Sequence, residues 1–190
     1  KQHHVVMGYK TSSEKVANLG HTVQVNYDEG NFITFDNKTF DFKQFHFHTP
    51  AEHLIDGVTY PLEIHLVHTL KDQSSDETTV YCVVGLLFKE GEQNPFLEEF
   101  INAIPKELDK ENDVEGGSVN INDLLDQEKN LDYYYYQGSL TTPPYTETVT
   151  WLVMKEVLEA SPEQIQKLNA IEGNNARHVQ AIYGRQVQQD

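Results

Sequence analysis

Two short stretches carry side chains that could do chemistry together. In Gln44-Phe45-His46-Phe47-His48 and in Glu63-Ile64-His65-Leu66-Val67, polar and apolar residues alternate. On a β-strand alternate residues share a face. Gln44, His46 and His48 therefore point one way, while Phe45 and Phe47 point into apolar packing. Likewise Glu63, His65 and Val67 share a face, with Ile64 and Leu66 behind. If the two strands pair, His65 completes a facial set of three imidazole nitrogens with His46 and His48. Three neutral imidazoles suit zinc and leave a fourth position open, the arrangement of a catalytic site. Gln44 and Glu63 each precede a histidine by two residues on the same face, where they can orient its ring. The pair His46-x-His48 alone fits ordinary hydrogen-bonded strand histidines equally well. His65 and the polar neighbours shift the balance toward a metal.

Such a face needs rigid strands, and the chain supplies the signals for them. β-type runs cover His21–Tyr27, Asn31–Phe35, Phe40–His48, Leu62–Thr69 and Thr79–Phe88. Turn residues separate them, as in Asp28-Glu29-Gly30, Asp36-Asn37 and Asp56-Gly57. Pro95–Ala103 and Ile121–Leu125 read as short helices, and Leu131–Gln137 and Thr146–Val153 as further strands. Ser161-Pro162-Glu163 opens a helix with an N-cap serine and a first-turn proline, and Gly173 ends it. The expected fold is mostly β with peripheral helices, of the α+β class, around a central twisted, mostly antiparallel sheet. One domain spanning 1–190 is expected, since no repeat or linker divides the chain.

The 190 residues can bury a real core. Thirty Asp and Glu against fourteen Lys and Arg give a formal charge of −16, and no basic stripe is present, which argues against nucleic acid as a partner. The acidity is read as a solubility feature. No apolar run is long enough to span a bilayer. The single cysteine, Cys82, lies in an apolar stretch and reads as a buried, inert thiol. His3, His4, His53, His68 and His178 read as surface or packing histidines, and Tyr133–Tyr136 as strand aromatics.

His46-x-His48 followed by Glu52 resembles the metal motif of cupins, in which Glu52 would be a ligand of a metal-dependent oxygenase. That motif wants glycine where Phe40 stands and a second glycine that Tyr60–His65 lacks. A fuller resemblance covers nearly the whole chain. Gln44–His53, Tyr60–His68, Gly138-Ser139-Leu140-Thr141-Thr142-Pro143-Pro144 with Thr150-Trp151, Asn18-Leu19-Gly20-His21 and Asn174–Gln180 together resemble alpha-class carbonic anhydrases, bacterial type.

The resemblance implies a zinc enzyme that hydrates CO2 reversibly to bicarbonate and a proton through zinc-bound hydroxide. It implies His46, His48 and His65 as ligands, held by Gln44, by the backbone carbonyl of Asn175 and by Glu63. Thr141 would orient the nucleophile by donating to Glu52. Val67, Val83, Leu140, Val149 and Trp151 would receive CO2, with Thr142 on the polar wall. His21 would relay protons, and its strand would carry His21, Val23 and Val25 on one face leading to the cleft. Sulfonamides and anions would inhibit. Bacterial relatives imply export to the periplasm or outside, and a homodimer. The family's N-terminal segment has no counterpart here, Tyr145 stands where a bridged cysteine is usual, and Leu19 replaces a polar residue. A second function class is a catalytically inactive, carbonic-anhydrase-related binding module, which usually lacks a zinc histidine; here all three positions are filled.

Overall fold

The period-two alternation becomes one large sheet. The computed structural model describes residues 3–13, 15–114 and 117–190. Its strands are β1 (Val5–Gly8), β2 (Val16–Asn18), β3 (Val23–Asn26), β4 (Phe32–Phe35), β5 (Lys38–His48), a small hairpin of β6 (Leu54–Ile55) and β7 (Val58–Thr59), β8 (Leu62–Leu70), β9 (Tyr81–Glu90), β10 (Lys110–Asn112), β11 (Tyr133–Gly138), β12 (Val149–Met154), β13 (Leu158–Ala160) and β14 (Gln188–Gln189). Twelve of them form a sheet whose main path runs β10-β2-β3-β5-β8-β9-β12-β11-β14. All pairings are antiparallel except β9 with β12 and β9 with β13. The helices are α1 (Pro95–Glu98), α2 (Asn122–Leu125) and α3 (Pro162–Glu172).

The long central strands β5, β8 and β9 position the chemistry. Along β5 the buried aromatics are Phe40 and Phe42, then Phe45 and Phe47. Even numbers give way to odd because the β5–β8 register shifts between Phe42 and Gln44. That β-bulge inserts one residue, so all four phenylalanines share the core face. Gln44, His46 and His48 are thereby turned to the opposite face. Phe45, Phe47, Phe96 and Phe100 pack as tilted, edge-on and stacked pairs at 5.5–6.0 Å. Cys82 is fully buried, and burial pushes its thiol up to about 12, so it is inert as expected.

The helix read at Ser161 forms with a capping box between Ser161 and Gln164, and Gly173 closes it at a φ of 64°. The helix expected over Pro95–Ala103 is instead broken: Phe100 leaves helical geometry at φ −139°, and a 3-10 turn, Ile101–Ala103, follows α1. The strand expected from His21 starts at Val23. Strands β1, β2, β10, β13 and β14 and the hairpin were not expected. The reason is plainest in β10, whose Lys110-Glu111-Asn112 is wholly exposed and carries no apolar pattern.

After α2, Glu128 is buried and neither of its carboxyl oxygens has a hydrogen-bond partner. Burial and then repulsion from Glu156 push its carboxyl up to about 8. An acid whose folded pKa lies above the unfolded value of about 4.3 favours the fold when protonated. That contribution is complete below pH ~4 and is lost as pH rises through about 8. Glu128→Gln should therefore flatten the fall in melting temperature between pH 5 and 9. A variant whose profile parallels the wild type would place that loss elsewhere.

Candidate metal centre

Strand pairing brings the three histidines together. In the β5–β8 register His46 stands directly opposite His65, and His48 opposite Glu63. The ring centroids of His46, His48 and His65 lie 4.7–5.3 Å apart, and one ring nitrogen from each falls in a group spanning at most 4.8 Å. The other ring nitrogen of each is occupied. His46 Nδ1 donates to Gln44 Oε1 at 2.9 Å, His48 Nδ1 to the Asn175 carbonyl at 3.3 Å, and His65 Nε2 to Glu63 Oε2 at 2.5 Å. These acceptors fix the tautomers and leave His46 Nε2, His48 Nε2 and His65 Nδ1 as lone-pair donors.

Burial, with repulsion from the neighbouring histidines, holds His46 well below the usual histidine range. The same causes, burial first and then His65, bring His48 down to about 3. Neutral imidazole is the form a metal needs. His48 Nε2 is buried without a hydrogen-bond partner, and so is Glu52 Oε1, which lies 3.1 Å from it. An orphaned buried nitrogen needs an explanation, and a metal bound there is one. The donor set fits zinc.

Glu52 is held on the far side. Its Oε2 accepts the Arg177 N–H at 2.8 Å, and the Thr141 hydroxyl donates to the carboxylate. Burial raises its pKa, while His65, Thr141 and the Arg177 N–H pull against that rise. Val67, Val83, Val149 and Trp151 form an apolar cluster separate from the main core, with Leu140 packed on it. The Trp151 ring centroid sits 4.8 Å from that of His65, so this wall adjoins the histidine face. Thr142 is exposed and its carbonyl accepts from Tyr145 N.

Residues 2–190 match the family described as eukaryotic-type carbonic anhydrase. The chain belongs to that family. It is 39% identical over 180 residues to a carbonic anhydrase of Pectobacterium carotovorum, covering 94% of this chain and 70% of that one. A solved hyperthermostable carbonic anhydrase from a hydrothermal vent chimney superposes with a TM-score of 0.89 at 40% identity, covering 98% of this chain and 80% of that one. The carbonic anhydrase of Thermovibrio ammonificans, solved with the inhibitor sulfanilamide, gives 0.88 at 38% identity, covering 96% and 77%. The reaction is thus the reversible hydration of CO2, and the fold is the alpha-class one. The cupin reading falls: this is an open, largely antiparallel sheet of a carbonic anhydrase.

Two expectations about this carbonic anhydrase change. His21 does not share a strand face with Val23 and Val25. It precedes β3 and is exposed, whereas both valines are fully buried in the core. It is Gln24 that pairs with His46. His21 is still near enough for its charge to lower the pKa of His46. Its Nδ1 faces the Leu19 carbonyl at 3.1 Å; a carbonyl only accepts, so Nδ1 is the donor of that bond.

His53, read from sequence as a surface or packing residue, belongs to the site. Its Nδ1 meets Glu63 Oε2 at 2.7 Å and its Nε2 meets the Tyr136 hydroxyl at 2.5 Å. Although burial disfavours its charge, Glu63 is held well below the carboxylate range by His53 and His65. Gly85 faces His65 across β8–β9, and a Cβ there would lie 3.0 Å from Glu63 Oε2, so the carboxylate uses the room a side chain would take. Tyr145, at the position of the usual cysteine, takes the Arg177 guanidinium on its ring at 4.2 Å. Tyr136→Phe would leave His53 Nε2 without its partner. We expect a loss of about 1–3 kcal/mol in denaturant unfolding; a midpoint equal to wild type would show that solvent replaces the tyrosine.

Proposed function

We propose that His46, His48 and His65 hold one zinc ion per chain through His46 Nε2, His48 Nε2 and His65 Nδ1, and that the chain works as a zinc carbonic anhydrase. The observation carrying this reading is the convergence of three imidazoles, each oriented by a hydrogen bond at its other ring nitrogen, one of them with a buried and partnerless nitrogen. Bound zinc would lower the pKa of a ligated water to about 7, a value for which this enzyme family is itself the reference case.

The chain's own groups supply the rest. The Thr141 hydroxyl gives its proton to Glu52, so its oxygen can only accept from a partner on the other side. A nucleophile donating to that oxygen would be held beside the apolar cluster of Val67, Val83, Val149 and Trp151, which suits an apolar substrate. Arg177 N–H and burial hold Glu52 in place. Leu140 borders the same wall and Thr142 its polar rim. His21 Nε2 takes protons and hands them to solvent. The sulfanilamide complex of the Thermovibrio relative supports aromatic sulfonamides as inhibitors of this site.

Elemental analysis should find one zinc per chain, lost on His48→Ala and retained in Thr141→Ala. Chelation should abolish CO2 hydration and zinc should restore it; hydration that survives complete metal removal would sink the reading. Thr141→Ala should lower kcat/KM by on the order of 10²-fold, the cost of one oriented transition-state contact.

His21→Ala should lower kcat in weak buffer and leave kcat/KM nearly unchanged, with imidazole restoring kcat. An unchanged weak-buffer kcat would remove His21 from the proton path.

A further inference from the structure

The last residue of α3, Glu172, is an acid where an amphipathic helix would ordinarily bury another aliphatic. It shares the inward face with Ile165 and Leu168 and is only 7% exposed. Its recorded partners are all neutral. Oε1 accepts the Val23 N–H at 3.1 Å. Oε2 accepts Asn175 Nδ2 at 3.0 Å and lies 3.5 Å from the Thr49 hydroxyl, whose better acceptor is the Gly173 carbonyl at 2.8 Å. A buried carboxyl carries a desolvation cost that a leucine would not. What it provides is two oxygens on one rigid group, one taking the Val23 N–H and the other Asn175 Nδ2.

Those segments are the ones that aim the site. Asn175 is a hub. Its backbone carbonyl accepts from His48 Nδ1 at 3.3 Å, its N–H donates to the Thr49 carbonyl at 3.2 Å, and its Oδ1 accepts the Thr49 N–H at 2.9 Å. Its Nδ2 also reaches the His21 carbonyl at 2.8 Å and the Phe47 carbonyl at 3.1 Å. The amide shares two N–H bonds among three acceptors, the Glu172 carboxyl and these two carbonyls, so without Glu172 the carbonyls alone would set its orientation. Val23, on the other oxygen, begins the strand that His21 precedes.

We infer that Glu172 is a positioning residue that fixes Asn175 and, through its carbonyl, the ring of His48. It touches no reacting atom. The inference rests on the reading of His48 as a zinc ligand. Glu172→Gln is the discriminating variant. Its volume is nearly that of the acid, and its one carbonyl oxygen can keep the Val23 contact. Its NH2 then faces the NH2 of Asn175, donor against donor, and that contact alone is lost.

The readout is zinc affinity, measured by competition with a chromogenic chelator on the purified chain. The wild type should bind one zinc. Glu172→Gln should bind about tenfold more weakly, the low end for groups that orient metal ligands. In an Asn175→Ala background, which keeps the carbonyl but removes the amide, Glu172→Gln should cost nothing more, since both changes break one linkage. Unchanged affinity in Glu172→Gln overturns the inference, even if the melting temperature falls. So does a full tenfold loss repeated in the Asn175→Ala background. A wild type that binds no zinc fails earlier, and takes down the metal reading together with what rests on it.

Discussion

A fully buried carboxylate, that of Glu63, organises the site. Ionised and without solvent, it must collect hydrogen bonds or not be charged at all. It collects four: the N–H groups of Glu52 and His53 on Oε1, and His53 Nδ1 and His65 Nε2 on Oε2. Meeting that demand ties β8 to the chain segment after β5 and, through His53, to Tyr136 on β11. Because Glu52 is a donor to Glu63 through its backbone, its side chain is placed facing Thr141 by the same bond set that fixes the tautomer of His65. One desolvated charge thus sets both the ring of His65 and the side chain of Glu52.

The remaining parts come from far along the chain. Asn175 and Arg177 lie about 125 residues beyond the strand they serve, yet their main-chain atoms meet His48 and Glu52. Main-chain contacts constrain the path of the segment and not its side chains. The stretch from α3 onward is therefore a clamp on the histidine face, closed by the cap of a helix whose start and stop are sharply specified.

The histidine face was legible because a strand's period is two and because identical logic applied on both strands. Gln44 and Glu63 were legible for the same reason. The apolar wall and the Thr141–Glu52 pair were expected only through family resemblance; nothing in Gly138–Pro144 by itself distinguishes it from an ordinary loop. His53 was missed since its neighbours, Glu63 and Tyr136, are brought by strand pairing and not by sequence spacing. Glu172 was hidden by its helix, where an acid beside a C-terminal glycine reads as solvated. His21 was placed on a strand two residues too early, because the alternation of Val23 and Val25 extends backward on paper while the backbone turns at Gly20, whose φ is +82°.

The bulge in β5 has a consequence for how this chain can vary in length. Upstream of it, losing or gaining one residue displaces phenylalanines relative to solvent and leaves the histidines where they are. Downstream, between Gln44 and His48, a one-residue indel exchanges the two faces and drives imidazoles into the aromatic core. Deleting Lys43 itself removes the phase correction, so either half of the strand, but not both, could keep its proper side. Gaps in this stretch should be tolerated only in twos, which gives the strand a parity that single substitutions never test.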